Sequence, residues 1–218
     1  MAKCLAAGQT RKNFNSNRQF DCVEFLQALL EHFWMEVTEQ ENLEELVFGG
    51  VYQEKLICEC KNVKILPIKK MDEIIHLQVT GQNIQDSLEA YIASEELESK
   101  CSECQSPDMV KTSEIVFAPA TLIFHLLRFR YDENGDETVK LDNPIFCPKV
   151  LTLPNGPTYV LNSVINHIGE CSNSGHYNIV VFGKHHNKFV LIDDCEIVDD
   201  VNLDDTAPMS YVATYTRM

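Results

Sequence analysis

The chain has no apolar run near the 18 or so residues needed to span a bilayer. It is also short of positive charge, with 18 Lys and Arg against 33 Asp and Glu and a formal net charge of −15. The first absence argues against a transmembrane protein. The second argues against nucleic acid or an anionic membrane surface as the main partner, because both are bound through clustered cations. Met1 to Gly8 turns polar too early for a secretory signal. Nine cysteines, odd in number and mostly isolated, fit reduced thiols better than a disulfide framework, so the expected compartment is the cytoplasm or nucleus. There is no internal repeat and no low-complexity segment.

What is present is enough for a packed domain: 218 residues, 44% of them hydrophobic. Residues 1–15 carry little periodicity and are expected to be a poorly ordered N-terminal remnant. Cys22, Val23, Phe25, Leu26, Leu29, Leu30, Phe33 and Trp34 then recur at spacings of three and four, which predicts an amphipathic helix with that stripe in the core and Asp21-x-x-Glu24 as its capping box. Short β-type runs fill Phe48 to about Lys70, and Ile84, Leu88, Tyr91 and Ile92 predict a second helix reaching Leu97. Thr121 to Phe129 is too apolar for an edge strand, and Asn134-Gly135 reads as a two-residue hairpin turn. Strands are expected over Tyr159 to Asn166, Tyr177 to Phe182, Phe189 to Asp193 and Tyr211 to Arg217. Joined by short connections, they make an antiparallel sheet in an α+β protein.

Two groups of residues carry chemistry. His176 and Asp193 lie near the two ends of a predicted hairpin. A turn centred between Lys184 and His185 sets Phe182 opposite Asn187 and His176 opposite Asp193, with Cβ atoms roughly 4.5–5.5 Å apart. At that separation a carboxylate can hold one imidazole nitrogen and leave the other free to act on a nucleophile. A slip of one residue would bring Asp194 to the histidine face instead, which makes Asp194 the second choice for the acid. The other group is Cys58-x-Cys60 and Cys101-x-x-Cys104, two short knuckles about forty residues apart. Four thiolates form a tetrahedral structural zinc set that can clamp the tip of a β-ribbon with little core of its own.

In chain order these segments resemble the ubiquitin-specific protease family of deubiquitinating enzymes. Gln19-Phe20-Asp21-Cys22-Val23-Glu24-Phe25-Leu26 is similar to the family's Gln-Gln-Asp-Ala-His-Glu-Phe-Leu helix start, with departures at Phe20, Cys22 and Val23. His125-Leu126-Leu127-Arg128-Phe129 is similar to its His-Leu-Lys-Arg-Phe strand. Gly175-His176-Tyr177, a turn, a strand and Asp193-Asp194, closed by Tyr211-Val212-Ala213-Thr214-Tyr215, are similar to its histidine box.

The resemblance implies a papain-like fold with an antiparallel-sheet palm, β-ribbon fingers and a truncated helical thumb. Residues 16–218 form the protease domain: 16–47 a thumb remnant, 48–118 fingers with the zinc site, 119–218 the palm. It also implies ubiquitin or ubiquitinated proteins as partners, His176 as general base and Asp193 as its orienting acid. The family's nucleophile box lies upstream of the Gln-Gln-Asp helix and has no counterpart here, since Cys4 has the wrong neighbours and lies too close to Gln19. Cys195 and Cys171 are the thiols that sequence places near His176, and neither has an evident helix N-terminus or oxyanion donor. Three functions stay open: a deubiquitinase domain inactive by itself, a non-catalytic ubiquitin-binding pseudoprotease, and a zinc-bound interaction scaffold.

Overall fold

The computed structural model describes residue 14 and residues 19–37, 47–131, 138–172, 174–183 and 187–218. The expected remnant over 1–15 lies almost wholly outside these, as does the Asn134-Gly135 turn. The turn's flanking strands do pair, Phe129–Tyr131 with Thr138–Lys140.

Chain order runs α1 (Cys22–Val37), β1 (Val51–Ile57), β2 (Val63–Ile65), β3 (Lys69–Lys70), β4 (Ile75–Gln78), α2 (Ile84–Ile92), β5 (Glu95–Glu98) and β6 (Asp108–Phe117). It continues through β7 (Thr121–Leu127), β8 (Phe129–Tyr131), β9 (Thr138–Lys140), β10 (Val150–Thr152), β11 (Thr158–Cys171), β12 (Ser174–Gly183), β13 (Lys188–Asp193), β14 (Glu196–Asp199) and β15 (Ser210–Arg217).

The larger sheet has the order β14-β13-β12-β11-β15-β7-β4, with β10 added on β11. Its pairings are antiparallel except β4 with β7, which is reached by a crossover through α2 and the ribbon. The ribbon sheet has the order β2-β1-β6-β5, with β3 against β1. Residues 48–118 therefore do not belong to the ribbon alone. β4 joins the large sheet, and α2 buries Ile84 and Leu88 in that sheet's core.

β7 shows how alternation builds two layers. Leu122, Phe124 and Leu126 enter the main core with Leu161, Val164, Ala213 and Tyr215, while Ile123 faces the other way, toward α1. α1 meets it with Val23 and Leu30, packed with Ile74, Tyr211 and Val212. The expected apolar stripe is thus buried over its first turns, while Phe33 is 44% exposed. At its start Asp21 Oδ1 accepts the N–H groups of Val23 and Glu24 at 2.8 and 3.3 Å, capping two of the helix's free donors.

The second helix is shorter than expected. It begins with a reciprocal capping box between Asn83 and Asp86 and stops at Ile92. Glu95 to Glu98 instead pair with β6, which lets Leu97 pack on the small ribbon core. A tertiary strand partner here outweighs local helix propensity.

Arg128 follows β7 and is fully buried. Its guanidinium donates to the carbonyl oxygens of Leu141, Asn143, Ala207 and Ser210, tying the end of β7 to the loop after β9 and to the loop that leads into β15.

Candidate functional site: a histidine and aspartate beside a cleft, and a four-thiol knuckle

The β12–β13 ladder runs from Ile179 opposite Ile192 to Phe182 opposite Phe189 and Gly183 opposite Lys188. This register differs by two residues from the expected one, in which Phe182 faces Asn187 and His176 faces Asp193. Four residues close the loop instead of the expected tighter turn, and the shift places Phe182 and Phe189 together, ring centroids 5.2 Å apart, a stabilising cross-strand pair. Because the shift is even, no side chain changes face. Continued by one residue, it sets Asn178 opposite Asp193, and His176 becomes the diagonal neighbour on the same face.

His176 Nε2 and Asp193 Oδ1 form a short hydrogen bond, and Asn178 Nδ2 donates to Asp193 Oδ2 at 3.3 Å. The Asn178 amide is oriented in turn by buried Asn166, whose Nδ2 donates to Asn178 Oδ1 at 2.9 Å. The hydrogen bond to Asp193, reinforced by that residue's charge, raises the His176 pKa above the usual imidazole value. His176 and then Asn178 hold Asp193 below the usual carboxylate range. Asp194 is exposed in the β13–β14 turn, where it adopts a left-handed φ of 51°. It lies near the pair and adds its charge, while the hydrogen bond goes to Asp193. With Nε2 committed to a carboxylate, Nδ1 is the nitrogen left for proton exchange.

Beside the pair is a cleft of about 780 Å³ between the start of α1 and β12, lined by Gln19, Asp21, Glu24, His176, Tyr177 and Asp194 among others. Asp21, Glu24 and Asp194 give that lining an acidic wall. Asn178 went unnoticed in the sequence, although its place two residues beyond His176 puts it on the same strand face.

The thiols of the described residues differ in setting. Burial pushes Cys22, at the first position of α1, up to about 12, and Cys147 likewise to about 12. Cys171 and Cys195 are exposed, at the end of β11 and in the turn after Asp194. Cys58, Cys60, Cys101 and Cys104 come together with all four sulfurs within 4.8 Å of one another. Cys58 and Cys104 are 3.4 Å apart, and Cys60 and Cys101 are 3.7 Å apart. The N–H of Cys104, the Asn62 amide and the N–H of Glu103 pull Cys101 down to about 6. Burial and the neighbouring sulfurs instead push Cys58 up to about 12, and Cys60 is also raised, while the set of four close sulfurs suits a soft tetrahedral metal.

A sequence profile of the ubiquitin carboxyl-terminal hydrolase family matches residues 4–215, and the chain belongs to that family. It is similar to Ubiquitin carboxyl-terminal hydrolase 48 of Danio rerio, 26% identical over 202 residues, which cover 84% of this chain and 19% of that protein. It is also similar to Ubiquitin carboxyl-terminal hydrolase 4 of Arabidopsis thaliana, 27% identical over 168 residues, which cover 71% of this chain and 45% of that one.

Among solved structures it superposes on Ubp8 in the SAGA Ubp8/Sgf11/Sus1/Sgf73 DUB module bound to ubiquitin aldehyde, with a TM-score of 0.84 at 21% identity over 100% of this chain and 53% of that one. On Ubp8 in a second form of that module, bound to monoubiquitin, the TM-score is 0.82 at 23% identity over 95% of this chain and 50% of that one. The fold is therefore that of the ubiquitin-specific proteases, with the large sheet as palm and the ribbon as fingers. The chain spans about half the length of those Ubp8 chains and less than half of the two relatives.

Proposed function

We propose that this chain is a ubiquitin-binding domain of the deubiquitinase family in which His176 is the general base and Asp193 its orienting acid. The hydrogen-bonded pair, open to a cleft and backed by Asn178 and Asn166, carries the proposal. In the complete reaction a thiolate attacks the isopeptide carbonyl, His176 takes its proton through Nδ1 and returns it to the leaving amine, and water then releases ubiquitin. Asp193 fixes the imidazole tautomer and stabilises the imidazolium. The acidic cleft wall suits the basic tail of ubiquitin.

No described cysteine is placed to serve as the nucleophile. Cys22 and Cys147 are held as neutral thiols by burial, and four others are gathered in the ribbon knuckle. Cys171, the last residue of β11, and Cys195, in the β13–β14 turn, are exposed with no helix N-terminus to stabilise a thiolate. On this reading the described residues act as a non-catalytic ubiquitin binder, and hydrolysis requires a thiol that they do not bring to His176. Zinc held by Cys58, Cys60, Cys101 and Cys104 would supply structure to the fingers and take no part in the chemistry.

Reaction with ubiquitin carrying a C-terminal electrophile, read by intact mass and peptide mapping alongside a ubiquitin titration, tests both halves. Binding with no adduct is expected. An adduct on a cysteine of this chain would overturn the missing-nucleophile reading. A folded, metal-loaded chain that ignores ubiquitin would overturn the partner and favour the scaffold.

A further inference from the structure

His176 sits where the palm sheet holds its strand least well. The β12–β13 ladder ends at Ile179, three residues short of it. On the other side β11 pairs Ile168 with His176 and then loses register before Cys171, with Gly169 at a φ of 128°. Strand pairing by itself thus leaves this segment secured on one side only.

Two side chains from the start of α1, more than 150 residues away in sequence, reach this segment. The Gln19 carboxamide spends both of its ends on one residue: Oε1 accepts the Gly175 N–H at 3.1 Å and Nε2 donates to the Gly175 carbonyl at 3.2 Å. Asp21 divides its carboxylate. Oδ1 caps α1, while Oδ2 accepts the hydroxyls of Tyr177 at 3.2 Å and Tyr211 at 2.7 Å. A helix cap needs only one oxygen, so the second is available to grip β12 and β15. Gly175 is also pressed on its Cα side by the buried His167 ring and the Ile168 carbonyl, where any side chain would collide. The residue before His176 and the residue after it are therefore each gripped from the start of the helix.

We infer that Gln19 and Asp21 are positioning residues for His176, clamping Gly175 and Tyr177 on either side of it so that the imidazole stays on Asp193. Neither touches the imidazole in this arrangement. They act through the backbone and through the two tyrosines, and because they also line the cleft, whatever fills the cleft presses on the same clamp. The inference rests on the reading of His176 and Asp193 as base and orienting acid.

The test uses the full 218-residue chain with labelled histidine and follows the His176 ring by NMR through a pH titration. It reads the midpoint and the nitrogen shifts that report which ring nitrogen carries the proton. The titratable groups that act on the ring are Asp193 and Asp194 from the β13 end, and those that line the cleft with it are Asp21 and Glu24 from the start of α1, His167 from β11 and Tyr177 from β12. Two charge-neutral changes are made so that any shift comes from geometry: Gln19→Ala, and the double change Tyr177→Phe with Tyr211→Phe. Each is expected to move the His176 midpoint down toward the ordinary imidazole value and to mix the two tautomers, while circular dichroism stays that of the wild type. A His176 midpoint and nitrogen shifts identical to wild type in the folded variants would overturn the clamp. If one variant does not fold, the other decides. Asp193→Asn separates the two levels. A wild-type midpoint that ignores Asp193→Asn would sink the pair itself, whereas a midpoint that responds to Asp193→Asn but not to the clamp variants would sink only the clamp.

Discussion

The palm and the fingers are both mainly antiparallel sheets, yet they are held together by different means. The palm packs helices and loops on its faces, and its core draws side chains from β4, β7, β11, β15 and α2. The fingers bury only Leu56, Cys58, Cys101 and Met109, and two of those four are thiols. Their sheet also takes a carboxylate inside: Glu54, 7% exposed, is paired with Lys69 and more distantly with Lys111. Apolar burial is the main term that offsets chain entropy. A ribbon with so little of it needs another source of cohesion, and the four-cysteine knuckle sits at the end of the fingers where that source is wanted.

The sharpest way to break the palm is through Arg128. Arg128→Met keeps much of the volume but takes the guanidinium donors from four carbonyl oxygens, and a loss of at least about 3 kcal/mol is expected in a denaturant melt, with the whole palm unfolding together. Chelation sharpens the contrast from the other side. With zinc held by the knuckle as proposed, its removal is expected to raise amide exchange in β1, β5 and β6 by about tenfold or more while β7, β11 and β15 keep their protection. Equal loss in both sheets would mean that the fingers and palm are one cooperative unit. A smaller effect belongs to the helix that links the two regions. Asn83→Ala removes one side of the α2 capping box and should cost about 1 kcal/mol, seen as a lowered melting temperature.

The smallest expected effect is at the His176–Asp193 pair, whose side chains are 45% and 33% exposed. His176 has its pKa raised by the partner, so its contribution is complete below the ordinary imidazole value and is lost as pH rises through the higher folded value. Asp193 is depressed, so its contribution is present above the ordinary carboxylate value and is lost as pH falls through the lower folded one. The pair is therefore strongest between about pH 4 and pH 6.5. The stability difference between wild type and His176→Gln should be greatest in that window and smaller at about pH 8, and small throughout because solvent screens the pair.

Much of this was legible in the residues. The 3.6 periodicity located α1, the unbroken apolar run located β7 between two other strands, and the hairpin pattern and cysteine spacing brought His176, Asp193 and the four cysteines forward as the residues to watch. The errors have physical causes. Glu95 to Glu98 continue a helical pattern, but β6 offers them a strand partner and Leu97 a place in the ribbon core. The hairpin register was off by two because the Phe182–Phe189 pair and a four-residue loop outweigh the tighter turn. The side-chain face was right because an even shift preserves it.

The sequence by itself determined which residues stand out as candidates for chemistry and which face of each strand is apolar, since both are properties of residue type and spacing. Only the tertiary structure decided that Asn166 and Asn178 back Asp193, that Arg128 ties two loops to β7, and that Gln19 and Asp21 grip the neighbours of His176. Those contacts join segments from 12 to more than 150 residues apart, and no local pattern records them, because their partners meet only once sheet pairing and burial of the α1 stripe have closed the chain around them.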